Sequence, residues 1–248
     1  MDSPPPHFFE LFEGLPRGGP GDDASTRRAW RVLKRVPPAP AILDIGCGPG
    51  LQTLELARLS QGTITALDIH QPFLDKLERA AARLGLSGHI RTLNKSMFEM
   101  DFPPESFDVV WCEGAIFLLG FEKGLATFQT FLKTGGHMAV TEAVWLKPDP
   151  PDEVKELWRV YPALTTVGEN LKTISRAGLR PLADFVLPAR SWLDEYYDPM
   201  ERGIAQLREK YAGNDEALGT FRALQNEIDV FRKFPDFYGY AFFIMRKE

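Results

Sequence analysis

Three glycines stand at alternate positions in the stretch DIGCGPG, and an acidic residue, Asp44, precedes them. The glycines are Gly46, Gly48 and Gly50. Glycine adopts positive φ angles easily and has no Cβ, so such a loop can turn sharply and let its backbone approach a ligand closely. The loop follows the strand-like AILDI and precedes the helix-like LQTLELARLS, whose first amides would face the same ligand. We therefore interpret residues 44–50 as a ligand-binding loop rather than an empty turn.

The spacing of these glycines excludes two common nucleotide-binding patterns. The dinucleotide fingerprint, G-x-G-x-x-G, needs a further glycine three residues after the second one. Counted from either of the first two glycines, that position holds Leu51 or Thr53. The phosphate-binding loop needs G-K-[ST], which does not follow here. An NAD-type oxidoreductase is therefore the weakest alternative that we consider.

Three carboxylates end predicted strands. Asp68 ends the strand TALDI, 22 positions after Gly46, and can accept hydrogen bonds from both hydroxyls of a ribose. Glu113 and Glu142 end the predicted fourth and fifth strands, and the carboxyl ends of parallel strands face the crevice where ligands bind. Either could bind a cationic or hydroxylated acceptor or act as a base. The alternative for both is a capping or surface carboxylate.

Aromatic and sulfur-containing residues are less informative. The aromatic residues that could line a substrate pocket, or else fill a core, are Trp145, Trp192, Tyr196 and Tyr197. Cys47 and Cys112 lack metal-ligand spacing, as do the four histidines. We therefore predict no metal site, and we expect both thiols to pack in the interior.

The elements that must position these residues alternate between strand and helix patterns. Strand-like segments cover residues 41–45, 63–69, 89–94, 107–113 and 137–146, and helix-like segments cover 51–60, 73–85 and 124–133. Such alternation predicts a parallel sheet with helices on both faces. Before it, Asp23 or Ser25 can cap a helix that the following Pro-Pro pair ends. After it come two helices, a strand at PLADFVLP, a helical stretch over 191–236 and a final strand at about Tyr240–Arg246.

The stretch DIGCGPG resembles the first motif of class I S-adenosylmethionine-dependent methyltransferases, D/E-x-G-x-G-x-G. The resemblance implies that Asp44, the three glycines and Cys47 between them hold the methionine end of the cofactor. It also implies that Asp68 binds the ribose. Glu113 would contact the cofactor as well.

The stretch KSMFEMDFPPESFDVV resembles the adenine-binding region of the same family, with Ser96 where an aspartate is usual. A serine hydroxyl can still accept a hydrogen bond. The resemblance therefore implies that Ser96 accepts one bond from the adenine amine, that the Met97 amide donates another, and that Ile69 flanks the ring.

The resemblance implies a Rossmann-like α/β fold. Its sheet would have seven mostly parallel strands with an antiparallel last strand, helices on both faces and a helical cap. The chain would form one domain with an N-terminal helical lid (1–38), a cofactor-binding core (39–147) and a substrate-side cap with the last strands (148–248). Closure of the lid could bring Arg17 to the carboxylate of the cofactor. The alternative is a surface helix anchored by its phenylalanines.

The implied reaction is methyl transfer from S-adenosylmethionine to a small molecule, with S-adenosylhomocysteine as product. The resemblance is to the methyltransferase type 11 group, which includes small-molecule enzymes of ubiquinone and menaquinone biosynthesis. Glu113 and Glu142 are the candidate catalytic residues. The segment CEGAIF replaces the [DN]-P-P-[YF] of enzymes that methylate amino groups in nucleic acids and proteins. The main alternative is a non-catalytic protein that binds S-adenosylmethionine.

Composition limits the partners and the compartment. The 248 residues carry a net charge of −5, which disfavours a protein that binds a nucleic-acid backbone. No apolar run approaches the roughly 20 residues of a membrane helix, and no signal-peptide pattern begins the sequence. We therefore expect a cytoplasmic protein with a small-molecule acceptor and no nucleic-acid or membrane partner. A homodimer is compatible with these features.

Overall fold

The computed structural model describes residues 5–248, which form one mixed sheet between two layers of helices. The strands are β1 (Ala41–Ile45), β2 (Thr63–Asp68), β3 (Ile90–Asn94), β4 (Phe107–Cys112), β5 (Leu132–Trp145), β6 (Thr165–Thr166), β7 (Leu179–Val186) and β8 (Tyr238–Lys247). They lie in the order β3-β2-β1-β4-β5-β8-β7, and β6 pairs with β5. β8 is antiparallel to both neighbours, whereas the other pairs are parallel. The predicted mostly parallel sheet with an inserted antiparallel last strand is confirmed, with the short β6 as an addition.

The helices connect these strands much as the sequence predicts. They are α1 (Pro6–Glu13), α2 (Asp23–Val32), α3 (Leu51–Ser60), α4 (Gln71–Arg83), α5 (Phe121–Phe131), α6 (Asp152–Trp158), α7 (Val167–Arg176), α8 (Arg190–Trp192), α9 (Asp198–Lys210) and α10 (Asp215–Lys233). A 3₁₀ turn covers Ile116–Leu118, and a π-helical turn covers Leu193–Tyr197. None of the helices within residues 5–248 is long and apolar enough to cross a membrane.

The cap of α2 differs from the prediction. Asp22, rather than Asp23 or Ser25, is the capping residue, because its carboxylate accepts the Ser25 amide at 2.7 Å. The helix also ends earlier than predicted, since Leu33 already has an extended ψ of 130°. The chain therefore leaves the helix before it reaches the Pro-Pro pair.

The N-terminal helix α1 belongs to the apolar core that covers one face of the sheet. Leu11 and Leu15 are 2% and 1% exposed and share this core with Met200 and Ile204 of α9. The division of the chain into lid, core and cap stays a prediction, and residues 1–4 of the predicted lid lie outside the described residues. The core packing nevertheless fixes α1 over the edge of the sheet that carries the glycine loop.

Candidate active site

The glycine loop joins β1 to α3 in conformations that favour glycine. Gly46, Gly48 and Gly50 have φ angles of 69°, 53° and 85°. The amides of Gly46 and Cys47 donate to the Leu67 carbonyl of β2 at 2.8 and 3.0 Å. A Cβ on the first or third glycine would lie 2.5 Å from a neighbouring side chain, whereas one on Gly48 would meet nothing nearer than 3.7 Å. The middle glycine is therefore where the loop backbone is open to a ligand.

Asp68, at the end of β2, supports the loop from the side of the neighbouring strand. Its Oδ2 accepts the Gly48 amide and its Oδ1 accepts the His70 amide, both at 2.9 Å. Burial raises the pKa of Asp68, although the two amides oppose this by stabilising the charged form. Each carboxylate oxygen keeps lone pairs for further donors, as two ribose hydroxyls would require.

Asp44 lies behind the glycine loop and next to α3. It is fully buried behind the loop, where its Oδ2 accepts the Thr53 hydroxyl at 2.6 Å and the Gln52 amide at 3.5 Å. Burial raises the pKa of Asp44 to about 7. Gln52 also donates to the Cys47 carbonyl at 2.8 Å. Asp44 thus joins the loop to α3 and does not line the cavity beside it.

A cavity of about 400 Å³ opens at the carboxyl ends of β1, β2 and β4. The predicted site residues that line it are Arg17, Gly46, Cys47, Gly48, Asp68, Ile69, Ser96, Met97 and Glu113. Asp44, Gly50 and Glu142 are not among its lining residues. Of the four predicted pocket aromatics, Tyr196 lines it, whereas the cluster that includes Trp192 and Tyr197 lies in the core behind it. The structure therefore brings most of the predicted cofactor residues to one cavity.

One end of this cavity, the nucleotide end, lies beyond Asp68. Ile69 and Phe98 are each 57% exposed there and offer apolar faces on which a planar ring could lie. Between them, the Ser96 hydroxyl accepts the Phe98 amide at 3.2 Å. Lys95 lines the same end and pairs with Asp101. The sequence did not predict a role for Phe98, because this region was recognised only by its resemblance to the adenine-binding region of the family. That resemblance implies Ser96 and Met97 and not Phe98.

The other end, the acceptor end, contains Glu113 and Arg17. The Glu113 Oε1 accepts the Thr26 hydroxyl and the Trp111 indole N–H, both at 2.8 Å. Burial raises the pKa of Glu113, while the nearby Arg17 guanidinium lowers it. Arg17 is 3% exposed and donates at 2.5 Å to Glu195 and to Asp23. The carboxylates that surround Arg17 therefore already balance its charge.

Glu142 lies apart from Glu113. Cys112 pairs with Val140, so Glu142, two residues further along β5, points to the same face of the sheet as Cys112. Glu113, one residue after Cys112, points to the opposite face. Glu142 is 3% exposed, its Oε1 accepts the Ala143 amide at 3.1 Å, and its Oε2 has no hydrogen-bond partner among the described residues. The structure thus brings one of the two candidate catalytic carboxylates, Glu113, to the cavity.

Both thiols are buried, as expected. Cys47 and Cys112 are free, and burial raises the pKa of each well above the ordinary thiol value. Within residues 5–248, no cluster of three or more His, Cys, Asp or Glu side chains is arranged to hold a metal ion.

Comparison with known proteins relates this site to a family. Residues 42–136 match the family model of a methyltransferase domain. Sterol 24-C-methyltransferase erg-4 of Neurospora crassa is 32% identical over 165 residues, which cover 64% of this chain and 43% of that protein. A methyltransferase of Geobacter sulfurreducens, solved in complex with S-adenosyl-L-homocysteine, shares the fold with a TM-score of 0.86 at 18% identity over 100% of both chains. The comparisons therefore support a class I S-adenosylmethionine-dependent methyltransferase domain over residues 42–136.

The relatives of this chain differ in length. The chain spans 43% and 49% of two sterol 24-C-methyltransferases that it matches. The 27-O-demethylrifamycin SV methyltransferase of Amycolatopsis mediterranei is 23% identical over 220 residues, which cover 83% of this chain and 80% of that protein. Most of the length of the chain thus has a counterpart in that relative.

The cavity also has an N-terminal wall that the sequence motifs did not predict in full. Phe8, Phe9 and Phe12 of α1 line the cavity, and so does the segment 17–20. The Phe9 ring stacks on the His70 ring with centroids 4.1 Å apart. The phenylalanines were singled out from the sequence only as anchors, because nothing local predicts that α1 packs against α9 and α10.

Valine at position 48 should abolish cofactor binding while the domain stays folded. The Cβ of Gly48 would meet no protein atom within 3.7 Å, but φ is 53° and the position lines the cavity. The strained backbone and branched side chain would move the loop and fill the space above it. Calorimetry with S-adenosylhomocysteine measures the loss, and Gly85→Val, at a loop with φ of 69° outside the cavity, is the matched control. Native affinity of the Gly48→Val protein would show that the loop does not hold the cofactor.

Glutamine at position 142 should change the pH dependence of stability. Burial raises the pKa of Glu142 from 4.5 to about 7, against the opposing effect of the Tyr161 hydroxyl. Between these values the folded chain holds a proton that the unfolded chain has lost, so this group lowers stability as pH rises. Glu142→Gln should match the parent at pH 4 and exceed its unfolding free energy at pH 8, by up to about 3 kcal/mol.

Urea unfolding at several pH values tests this expectation for Glu142. The exposed Glu122 at the start of α5 provides the control variant Glu122→Gln, whose profile should follow that of the parent. A parallel profile for Glu142→Gln would contradict the raised pKa of the buried carboxyl.

Proposed function

We propose that this chain transfers the methyl group of S-adenosylmethionine to a small-molecule acceptor bound in the same cavity. The observation that carries the proposal is that the glycine loop, Asp68 and Glu113 all line this one cavity. The names of the relatives support it, since they include methyltransferases of a sterol and of a rifamycin precursor.

The residues of the chain fit S-adenosylmethionine in three respects. The open backbone at Gly48 suits a close approach by the methionine part. The Asp68 carboxylate, held by two amides, suits the ribose hydroxyls. Ile69 and Phe98 suit the two faces of the adenine, with Ser96 and Met97 at its edge. When bound, S-adenosylmethionine supplies an activated methyl group on a sulfonium.

The chain contributes mainly position and exclusion of water. Because the methyl group is already activated, holding the nucleophile in line with it supplies most of the acceleration. The aromatic side chains from α1 and the π-helical turn close the cavity above Glu113. Glu113 would orient the acceptor through its Oε2, since Thr26 and Trp111 already donate to Oε1. Its raised pKa also suits acceptance of a proton from a hydroxyl or an amine.

Glu142, the second candidate base, does not line the cavity. Its unpartnered Oε2 lies near Tyr161, whose pKa is raised by burial and by the neighbouring carboxylate. The Glu142→Gln variant separates a base from a structural carboxyl, since a base requires turnover to fall at every pH.

Two measurements test the proposed function. Calorimetry should show that the protein binds S-adenosylhomocysteine and does not bind NAD, and the reverse result would contradict the cofactor assignment. A screen of small molecules with methyl-labelled S-adenosylmethionine should then show transfer. Tight binding without transfer to any acceptor would favour the non-catalytic alternative.

The cellular setting is part of the same proposal. The net charge of −5 supports a cytoplasmic enzyme without nucleic-acid or membrane partners. A homodimer is the assembly to test, and light scattering on the purified protein measures the molecular mass directly.

A further inference from the structure

The acceptor end of the cavity has an aromatic and aliphatic wall. The side chains that form it are Phe8, Phe12, Phe117, Leu118, Tyr196 and Tyr240, together with the backbone of Gly114 and Ala115. They come from α1, from the turns after β4, from the π-helical turn and from β8. Apolar side chains of this kind favour ligands that have little exposed polar surface.

The charged groups of the acceptor end are already matched within the protein. Glu113 lies beside Arg17, and Arg17 donates to Glu195 and Asp23. The other cation that lines the cavity, Lys95, is at the nucleotide end and pairs with Asp101. Among the described lining residues, no free cation is left at the acceptor end to neutralise a carboxylate or a phosphate. Burying such a group there without a partner would be costly.

An apolar strip continues from the acceptor end onto the surface. Phe117 and Leu118 line the cavity and are nevertheless 38% and 44% exposed. The Phe117 ring contacts the Tyr161 ring edge to face, with centroids 6.0 Å apart. Val160, which precedes Tyr161 in the chain, is 88% exposed. We call Phe117, Leu118, Val160 and Tyr161 the exit strip.

We propose that the acceptor is an elongated and largely apolar molecule that carries no anionic group and is longer than the cavity. Its reacting end lies beside Glu113 and Gly114, and its apolar end leaves the cavity over the exit strip. This inference rests on the proposed function, because it assigns the acceptor end of that same cavity. The continuity of the strip with the cavity favours one ligand that occupies both, since an apolar segment that stopped at the mouth would leave Phe117 and Leu118 in water.

A series of 4-n-alkylphenols tests the inference with defined probes. Each phenol, from methyl to octyl, is titrated into the protein loaded with S-adenosylhomocysteine, and the matched 4-n-alkylbenzoates are titrated in parallel. Affinity for the phenols should rise about fourfold for each methylene that is buried. The benzoates of equal length should bind at least about tenfold more weakly, because their charge finds no partner. Benzoates that bind as tightly as the phenols would overturn the assignment of an acceptor without an anionic group.

Two matched variants locate the apolar end of the probe. Leu118→Asn changes the exit strip, and Leu84→Asn changes a leucine of similar exposure, 48%, at the end of α4 and outside the cavity. The gain in affinity from the longer alkyl chains should fall at least about tenfold in Leu118→Asn and stay unchanged in Leu84→Asn. Equal chain-length dependence in both variants would overturn the role of the strip. So would binding of the parent, but not of Leu118→Asn, to phosphatidylcholine vesicles, which would assign the strip to a lipid surface.

The design separates this inference from the proposed function. Binding of S-adenosylhomocysteine is measured first, and its absence would contradict the proposed function. The phenol series is then run on the unliganded protein, so that the exit strip is still tested. Conversely, a protein that binds S-adenosylhomocysteine but shows no dependence on chain length keeps the proposed function and loses this inference.

Discussion

Replacing Asp68 by alanine is expected to weaken the binding of S-adenosylhomocysteine by about 100-fold or more. Two ribose hydroxyls would lose a charged acceptor, and each such bond contributes roughly 1.5–3 kcal/mol. The Gly48 amide, which donates to Asp68 at 2.9 Å, would also lose its partner. The substitution therefore removes both a ligand contact and a support of the loop.

Calorimetry with Asp68→Ala and with a control variant measures this loss. Asp184, an exposed residue of β7 remote from the cavity, provides the control Asp184→Ala, which removes the same charge from the chain. Asp68→Ala should stay folded, because Asp68 is at the end of β2. Burial raises the pKa of its carboxyl, so the charged group is unfavourable there and its removal costs little stability. Unchanged affinity in a folded Asp68→Ala protein would remove this residue from the site.

Local patterns were sufficient to predict the strand-loop-helix unit around the glycines. The predicted limits of β1 and α3, 41–45 and 51–60, are those of the structure. Short apolar strands and a glycine turn are determined by residues within the same ten positions, so a sequence contains what is needed to recognise them. The same holds for Asp68, which is the first charged residue of the strand that it ends.

The direction in which each side chain points could not be predicted from the sequence in the same way. Asp44 belongs to the motif, yet it is not among the residues that line the cavity, and it accepts the Thr53 hydroxyl. Glu113 directly follows β4 and Glu142 lies three residues before the end of β5, but the register of β4 on β5 turns them to opposite faces. A shift of one residue in that register would reverse the face. Register and side-chain direction depend on pairing between distant segments, which single-sequence patterns do not specify.

Long-range packing explains why the cavity wall formed by α1 could not be predicted in full from the sequence motifs. The sequence predicts that α2 and the phenylalanines of α1 meet a core, but it does not say which one. In the structure, Leu11 packs so closely on Gly203 that a Cβ there would lie 2.7 Å from it. This contact joins segments almost two hundred residues apart and places Phe8 and Phe12 in the cavity wall. Deleting the first 21 residues would therefore expose core side chains, so single substitutions test the role of this wall more cleanly.

The second large effect is expected at Arg17, where methionine should lower the unfolding free energy by about 2 kcal/mol or more. Arg17 is 3% exposed and donates to Asp23 and Glu195, while Glu113 lies nearby. Removal of one partner of a buried ion pair costs about 3–5 kcal/mol. The expected loss of about 2 kcal/mol lies below that range, because Asp23 and Glu195 are 38% and 40% exposed and regain water when Arg17 is replaced. The midpoint of thermal unfolding should fall by about 4–8 °C.

A comparison of stability with affinity decides what Arg17 does. If it holds the segment before α2 against Glu195 of the π-helical turn, Arg17→Met should lose stability at pH 8. The loss should shrink as pH falls, because burial raises the pKa of Glu113 and a protonated Glu113 no longer needs a cation. Arg17→Lys should recover part of the stability, since it keeps the charge but cannot donate along two edges to Asp23 and Glu195.

If Arg17 instead binds the carboxylate of the cofactor, the affinity for S-adenosylhomocysteine should fall while the unfolding midpoint of the unliganded protein stays within about 1 °C of the parent. The two existing ion pairs favour the first outcome, because they already place two carboxylates against the Arg17 guanidinium.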